Sequence, residues 1–200
     1  MPSQSDIKLA RLEELFASLP GIGPRSASRI VTELMGGRID LARELAALLS
    51  QTAASVHHCP CCHTLTTEPI CEVCADPTRD ASVICVVESP ADQAAIESSV
   101  AFSGRYFVLL GRVNPLMDVG PRELGADLLI ARLKSEPVRE VVIATSYTAE
   151  GETTAHVLIQ AIRKHAPHVR VTRLARGLPA GVEVEYTDAA TLAAAVVDRH

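Results

Sequence analysis

Four cysteines have the spacing of a metal site. Cys59 and Cys62 are separated by two residues, as are Cys71 and Cys74, and eight residues lie between the two pairs. Each Cys-x-x-Cys turn can direct both of its sulfur atoms at one tetrahedral ion. Because four thiolates leave no coordination position for water, the spacing predicts one structural zinc ion per chain and not a catalytic one.

Other side chains near these pairs are alternative ligands. Cys61 lies next to Cys62 but has no partner two residues away, and three histidines flank the first pair: His57, His58 and His63. We expect Cys59 and Cys62 to be the ligands because they complete the regular spacing. Cys85 lies in the apolar run Ser-Val-Ile-Cys-Val-Val and is expected to be a buried strand residue.

A second pattern, at residues 19–30, is Leu-Pro-Gly-Ile-Gly-Pro-Arg-Ser-Ala-Ser-Arg-Ile. Gly21 and Gly23 allow the main chain to adopt positive φ and to approach a partner without an intervening Cβ, and Pro24 suits the first turn of a helix. A helix N-terminus of this kind binds anions such as phosphate. The pattern therefore predicts a hairpin between two helices. Phosphate is expected to contact the amide groups of this hairpin, which belong to Gly21, Ile22, Gly23 and Arg25.

Basic side chains lie on the expected phosphate-binding side of this hairpin. Arg25 and Arg29 are one helical turn apart, and no acidic residue occurs between positions 15 and 32. Four apolar residues are expected to hold the two helices together: Leu19, Ile22, Ala27 and Ile30. We interpret the segment as a nucleic-acid contact, whereas the alternative is that a Gly-x-Gly turn simply joins two helices.

Composition limits how the protein could bind nucleic acid. The 200 residues include three Phe, three Tyr and no Trp, so no aromatic platform for stacking single-stranded bases is expected. The net charge is −5, but residues 1–58 contain six basic and six acidic side chains, so any nucleic-acid face must be local. Because no signal peptide or apolar run of membrane-spanning length is recognised, we expect a cytoplasmic protein.

From residue 82 onward, apolar strands alternate with helices. The predicted helices cover residues 91–98, 122–134 and 151–165, and the predicted strands cover 83–87, 106–110, 141–145 and 169–174. This alternation indicates an α/β domain with a parallel sheet. A short helix with one apolar face is expected at 191–199. It could pack on the sheet or against a neighbouring subunit, and we favour the subunit contact.

Acidic residues fall where the predicted strands end. Glu88 closes the first strand, and Glu150 and Glu152 follow the third. Carboxylates at the carboxyl ends of parallel strands could hold Mg²⁺ for phosphoryl chemistry. The alternative is that Glu150 and Glu152 favour a helix N-terminus and that Glu88 caps an exposed loop.

These motifs, in this order, closely resemble the RecR family of bacterial recombination mediators. The resemblance runs nearly end to end through the hairpin, the four cysteines and these segments: residues 84–92, 102–111, 114–116, 120–121, 150–155, 175–179 and 185–192. It implies a helix-hairpin-helix region at residues 1–56, a four-cysteine zinc finger at 57–76, a Toprim domain at 82–177 and a C-terminal segment at 178–200.

The resemblance also implies a function in recombinational DNA repair. In that family four subunits form a ring that acts as a non-enzymatic DNA clamp, and the partners RecO and RecF work with it to load RecA onto gapped DNA. The resemblance assigns DNA contact to Arg25 and Arg29, matches Glu88 to the single Toprim glutamate, and places Glu150 and Glu152 on an acidic surface used towards RecO. It further implies binding without sequence preference and association with the nucleoid.

The sequence departs from two patterns at residues 145–148, and Cys61 is also unusual for the family. An enzymatic Toprim domain has Asp-x-Asp after its third strand, whereas this chain has Thr-Ser-Tyr-Thr at 145–148, so two-metal chemistry lacks ligands. RecR-like chains usually have Asn-Pro where this chain has Ser146-Tyr147.

Two other functions stay open: a small Toprim nuclease that uses Glu88 with Mg²⁺, and a protein-interaction scaffold in which the hairpin is only a helix joint.

Overall fold

The computed structural model describes residues 4–99, 101–114, 117–175, 178, 181 and 183–197. The chain forms two compact units, Met1–Val56 and His57–His200. From residue 4 onward, the first unit contains three helices: α1 Gln4–Ala17, α2 Pro24–Gly36 and α3 Ile39–Ser55. Among the described residues, no helix is both long and apolar enough to span a membrane.

The helical unit is held together mainly through one face of α2. Ala27, Val31 and Leu34 are buried, and their spacing places them on the same side of the helix. Ser28 adds a hydrogen bond from its hydroxyl to Glu13 of α1 at 3.0 Å. The core of this unit is therefore a narrow stripe between neighbouring helices.

The second unit begins with a small knuckle. Strands β1 His57–His58 and β2 Leu65–Thr66 form an antiparallel hairpin, and the short helix α4 Glu72–Ala75 follows. The two cysteine pairs lie in the turn of this hairpin and at α4.

A four-stranded parallel sheet makes up the rest of this unit, in the order β4-β3-β5-β6. The strands are β3 Asp80–Val87, β4 Gly104–Val108, β5 Glu140–Ala144 and β6 Arg170–Arg173. The crossovers contain α5 Pro90–Ser98, α6 Ala126–Ser135 and α7 Ala149–His165. A 3₁₀ turn, Val184–Tyr186, and α8 Ala189–Val197 follow the sheet. The predicted α/β architecture is confirmed.

Both faces of the sheet are buried, as expected when crossover helices cover a parallel sheet. Ile84 and Val86 face a large core that includes Leu129 of α6 and Leu158 of α7. Cys85 belongs to a smaller cluster on the opposite face, so its prediction as a buried strand residue is confirmed.

Some predicted boundaries were wrong because backbone turns interrupt the apolar pattern. Strand β4 ends at Val108, two residues before the predicted end, and Leu110 has a left-handed backbone with φ of 59°. Helix α6 starts at Ala126 and not at residue 122, because Gly125 at its N-terminus has φ of 71°. Helix α8 ends at Val197, and the final residues of its predicted range lie outside the described residues.

Candidate nucleic-acid interface and metal centre

The turn between α1 and α2 has the geometry of a tight hairpin. Gly21 has φ of 78°, a conformation that glycine adopts without strain. The amide of Ile22 donates to the carbonyl of Leu19 at 3.1 Å, so this amide is used inside the turn. Gly23 has φ of −82° and ψ of 168° and precedes Pro24 at the first position of α2. The prediction of positive φ is therefore confirmed at Gly21 and wrong at Gly23.

The packing behind the hairpin differs in one respect from the prediction. Ala27 is fully buried, and Ile22 and Ile30 are half-buried. Leu19 is instead 48% exposed, because it lies in the turn and not on a face of either helix. The small side chain of Ala27 allows the two helices to approach closely.

The N-terminus of α2 is open to solvent. Gly23 provides no side-chain cap, and the first turn contains no acidic residue. A Cβ atom added at Gly21 or Gly23 would meet nothing within 4 Å, so neither glycine is required by packing against the protein itself. Arg25 and Arg29 are both exposed. Unsatisfied amide groups, the positive end of the helix dipole and two guanidinium groups together suit a bound phosphate.

The four cysteines converge on one point. The sulfur atoms of Cys59, Cys62, Cys71 and Cys74 all lie within 4.8 Å of one another. Among the described residues, no other group of three or more Cys, His, Asp or Glu side chains brings its ligand atoms this close together. Four sulfur donors at such separations fit a tetrahedral zinc ion, and the residues present therefore support structural zinc.

The local backbone explains how the sulfurs are aimed. The amide of Cys59 donates to the Thr64 carbonyl at 2.7 Å, and the amide of His63 donates back to the Cys59 carbonyl at 2.9 Å. His63 itself has φ of 66°, which closes this turn. In the second pair, the amide of Cys74 donates to the carbonyl of Cys71 at 3.0 Å.

The alternative ligands lie outside the converging group. Cys61 is half-buried, and burial raises the pKa of its thiol. His63 shares a hydrogen bond of 2.9 Å between its Nδ1 and the Val108 carbonyl, so its ring is committed to the sheet. Within the cluster, a hydrogen bond from Cys74 lowers the pKa of Cys62 to about 5. These neighbours favour the thiolate form of Cys62, and a bound zinc ion would displace the remaining thiol protons.

The knuckle is fastened to the edge strand β4. The amide of Val108 donates to the carbonyl of Cys62 at 2.7 Å, and the His63 ring stacks on Phe107 with centroids 5.6 Å apart. These contacts cover part of an edge that would otherwise expose unpaired backbone groups.

Sequence reasoning missed Arg132, which makes the longest-range polar contact at this edge. Its guanidinium donates to the carbonyls of Cys61 at 2.8 Å and Tyr106 at 3.0 Å, and its Nε donates to Glu136 at 3.0 Å. The residue is only 7% exposed. The available signal was an arginine within the buried register of α6, beside Leu133.

Glu88 is buried and fully engaged at the end of β3. Only 5% of it is exposed, which excludes the expectation that it caps an exposed loop. Arg112 donates from Nε at 2.7 Å, and Ser146 donates from its amide at 3.0 Å and from its hydroxyl at 3.1 Å. We call Glu88, Arg112 and Ser146 the Glu88 corner. The counterion of this carboxylate is a guanidinium supplied by the chain itself.

The segment after β5 supplies hydroxyl groups in place of carboxylates. The Thr148 hydroxyl accepts a hydrogen bond from the Gly151 amide at 3.2 Å and caps α7. The Ser146 and Thr148 hydroxyl oxygens lie 2.9 Å apart. A Cβ on Gly151 would lie 2.2 Å from the Ser146 carbonyl oxygen, so this close approach requires glycine. Where an enzymatic Toprim domain has Asp-x-Asp, this turn is therefore built from hydroxyl groups and a close backbone approach.

Glu150 and Glu152 occupy the first turn of α7. The carboxylate of Glu152 accepts a hydrogen bond from Arg173 at 2.7 Å. Among the described residues, Glu88, Glu150 and Glu152 do not form a group of converging ligands. A magnesium site at these residues is not supported.

Comparison with protein-family models gives four consecutive matches. Residues 9–53 match the RecR helix-hairpin-helix, 56–76 match the RecR four-cysteine zinc-finger domain, 82–175 match a Toprim domain and 177–200 match the RecR C-terminal model. These domains indicate DNA binding and a role in DNA repair and recombination. With the open hairpin, the four-cysteine cluster and the parallel sheet in the same order, the chain belongs to the RecR family.

Proposed function

We propose that the protein is a non-enzymatic DNA clamp in recombinational repair, which binds duplex and gapped DNA without sequence preference. The observation that carries this proposal is the open N-terminus of α2, with Arg25 and Arg29 exposed beside it. Phosphate contacts through Gly21, Gly23 and these arginines would position DNA without reading its sequence. The amide of Ile22 is used in the turn, so Ile22 would support DNA binding only indirectly. Its half-buried side chain would help to hold the two helices of the hairpin together.

Several copies of the hairpin are needed for useful affinity. One hairpin with two arginines neutralises few phosphates, whereas a ring tetramer would gain avidity through high effective concentration. The helical unit supports self-association, because α3 buries no residue and exposes a set of apolar side chains: Ile39, Leu45, Leu48 and Leu49. Exposed apolar surface of this extent is typical of an interaction face.

The other segments have distinct roles in this proposal. Residues 1–56 bind DNA, residues 57–76 hold zinc through the four cysteines, residues 82–177 form the Toprim domain, and residues 178–200 contact another subunit. RecO and RecF are the protein partners in loading RecA, and the face that carries Glu150 and Glu152 contacts RecO. The exposed position of Glu150 supports this assignment.

The Glu88 corner supports a role without phosphodiester cleavage. A Toprim nuclease would use Glu88 as a metal ligand, but Arg112 and Ser146 already occupy both of its oxygen atoms. A guanidinium at 2.7 Å also opposes the approach of a second cation. The geometry therefore favours the clamp over the nuclease.

A salt titration of DNA binding tests the proposal. We expect Arg25→Ala combined with Arg29→Ala to weaken binding and to reduce the slope of log K against log salt by about two for each hairpin engaged. The matched control is Arg11→Ala combined with Arg43→Ala, which removes the same charge from exposed positions in the same unit. Equal binding and an equal slope in the two double variants would contradict the DNA site.

Light scattering on the same samples tests the assembly. A tetramer, or a dimer that becomes tetrameric with duplex DNA, is expected. A monomer at every salt concentration, with and without DNA, would remove the avidity on which the clamp depends.

A further inference from the structure

Ser146 and Tyr147 are adjacent in sequence, but their side chains point in different directions. Ser146 turns inward to Glu88, whereas the side chain of Tyr147 reaches the surface and is 42% exposed. The Tyr147 hydroxyl donates a hydrogen bond to the carbonyl of Leu174. A large aromatic side chain is therefore fixed at the surface where β5 leads into α7.

Arg173 holds this ring from one face. Its guanidinium carbon lies 4.6 Å from the centre of the Tyr147 ring, a cation–π distance. The same guanidinium donates to Glu152 at 2.7 Å. The ring is restrained at both its face and its hydroxyl, so little side-chain entropy would be lost when a partner covers it.

The two first-turn glutamates therefore have different surroundings. Glu152 shares its charge with Arg173 through an ion pair, whereas the side chain of Glu150, also in the first turn of α7, is exposed. Leu174, whose carbonyl accepts the Tyr147 hydrogen bond, is itself 46% exposed. The surface thus has an apolar centre, Tyr147 and Leu174, with a carboxylate nearby on the first turn of α7.

The geometry points to Tyr147 as the anchor residue of the partner-binding face, with Glu150 as the group that attracts the partner. This inference rests on the proposed RecO contact and names the chemistry that the partner must offer: a basic side chain beside an apolar pocket that accepts the ring. Tyrosine is one of the residue types enriched among the few side chains that carry most of the binding energy at protein interfaces. Arg173 is a positioning residue that keeps the ring in place.

The test is to measure the association and dissociation rates of this chain, residues 1–200, with purified RecO from the same genome. We expect Tyr147→Ala to weaken binding about tenfold, mainly through faster dissociation, because truncation removes a buried anchor. Tyr147→Phe should stay within about threefold of wild type, because the ring and its stacking on Arg173 are kept. Glu150→Lys should mainly slow association and reduce its salt dependence.

Leu65→Ala is the control, since it truncates an exposed apolar side chain on the zinc knuckle. If Glu150→Lys weakens binding but Tyr147→Ala does not, the anchor role is wrong and the proposed RecO face stands. If neither changes the rates, both the face and the anchor are wrong. Equal losses in Tyr147→Ala and Leu65→Ala, or a loss in Tyr147→Phe as large as in Tyr147→Ala, would also overturn the anchor role.

Discussion

The N-termini of α2 and α7 differ in what stands before their first-turn amide groups. In α7, the Thr148 hydroxyl accepts a hydrogen bond from the Gly151 amide, and Glu150 and Glu152 lie in the first turn. In α2, Gly23 supplies no cap and the first turn contains no acid. Both helices have dipoles of the same sense, but the first turn of α7 is capped by its own chain whereas that of α2 has no side-chain cap.

The same contrast extends to the charged side chains. Arg112 forms an ion pair with the buried Glu88, whereas Arg25 and Arg29 are exposed to solvent. Polar groups that the chain satisfies internally hold the fold together, and polar groups that it leaves open are available for binding. Substitutions in the two classes should therefore change different properties: stability for the first and affinity for the second.

The largest expected effect on stability comes from replacing one of the four cysteines that would bind zinc. Cys62→Ser should abolish stoichiometric zinc and unfold the knuckle, because structural zinc contributes about 10–16 kcal/mol in small zinc domains. The Val108 amide, which donates to Cys62, should then lose its protection from hydrogen exchange. Metal analysis and hydrogen exchange by mass spectrometry measure the two effects.

Cys61→Ser is the matched control for this substitution. Cys61 lies outside the converging group, so this variant should retain one zinc ion per chain and a protected Val108 amide. Zinc retained in Cys62→Ser and lost in Cys61→Ser would reverse the ligand assignment.

A smaller effect is expected at the Glu88 corner. Glu88→Gln removes the buried charge opposite Arg112 and should cost roughly 1–3 kcal/mol of unfolding free energy. DNA affinity should not change, because the proposed DNA contact lies at the N-terminus of α2 and not at this corner. Denaturant unfolding and DNA titration of the same preparation measure both. Metal-dependent cleavage of labelled DNA by the wild type that Glu88→Gln abolishes would instead show that the corner is catalytic.

The smallest effect concerns pH. Arg79 lowers the pKa of Glu97 by donating hydrogen bonds to its carboxylate. A carboxyl group with a depressed folded-state pKa contributes stability above its unfolded pKa, near 4.3, and loses it as the pH falls through the folded value. Glu97→Gln should therefore cost about 1 kcal/mol at pH 7, and this cost should disappear as the pH falls through the folded-state pKa of Glu97. Thermal unfolding of wild type and Glu97→Gln from pH 7 down to acidic pH measures this effect. If the two proteins lose stability in parallel as the pH falls, the Arg79–Glu97 pair contributes nothing.

Local patterns in the sequence were enough to predict the metal site and the hairpin. The cysteine spacing fixes which sulfurs can meet within a few residues of chain, and Gly21 marks the turn that needs positive φ. Leu19 and Gly23 were predicted less well, because the packing and φ of individual turn residues depend on how the two helices approach.

Contacts between distant residues were beyond the reach of sequence reasoning. Arg132 reaches Cys61 across 71 positions, and Arg112 reaches Glu88 across 24. Such partners meet only once the sheet has formed, so neither spacing nor composition identifies them. The stacking of Arg173 on Tyr147 is of the same kind.

Making the N-terminus of α2 resemble that of α7 tests the central claim most directly. Asp at position 23 would supply a capping carboxylate, and the backbone there already has the extended conformation that an N-cap residue adopts, with open space around a Cβ. Gly23→Asn is the control that caps the helix without adding charge.

The measurement is fluorescence anisotropy of a labelled duplex titrated with wild type, Gly23→Asp and Gly23→Asn at two salt concentrations, with thermal unfolding of each protein. We predict that Gly23→Asp keeps or gains stability, by up to about 1 kcal/mol, while its DNA affinity falls at least about tenfold and further than that of Gly23→Asn. Wild-type affinity and salt slope in a folded Gly23→Asp protein would contradict the claim that the open end of α2 binds DNA.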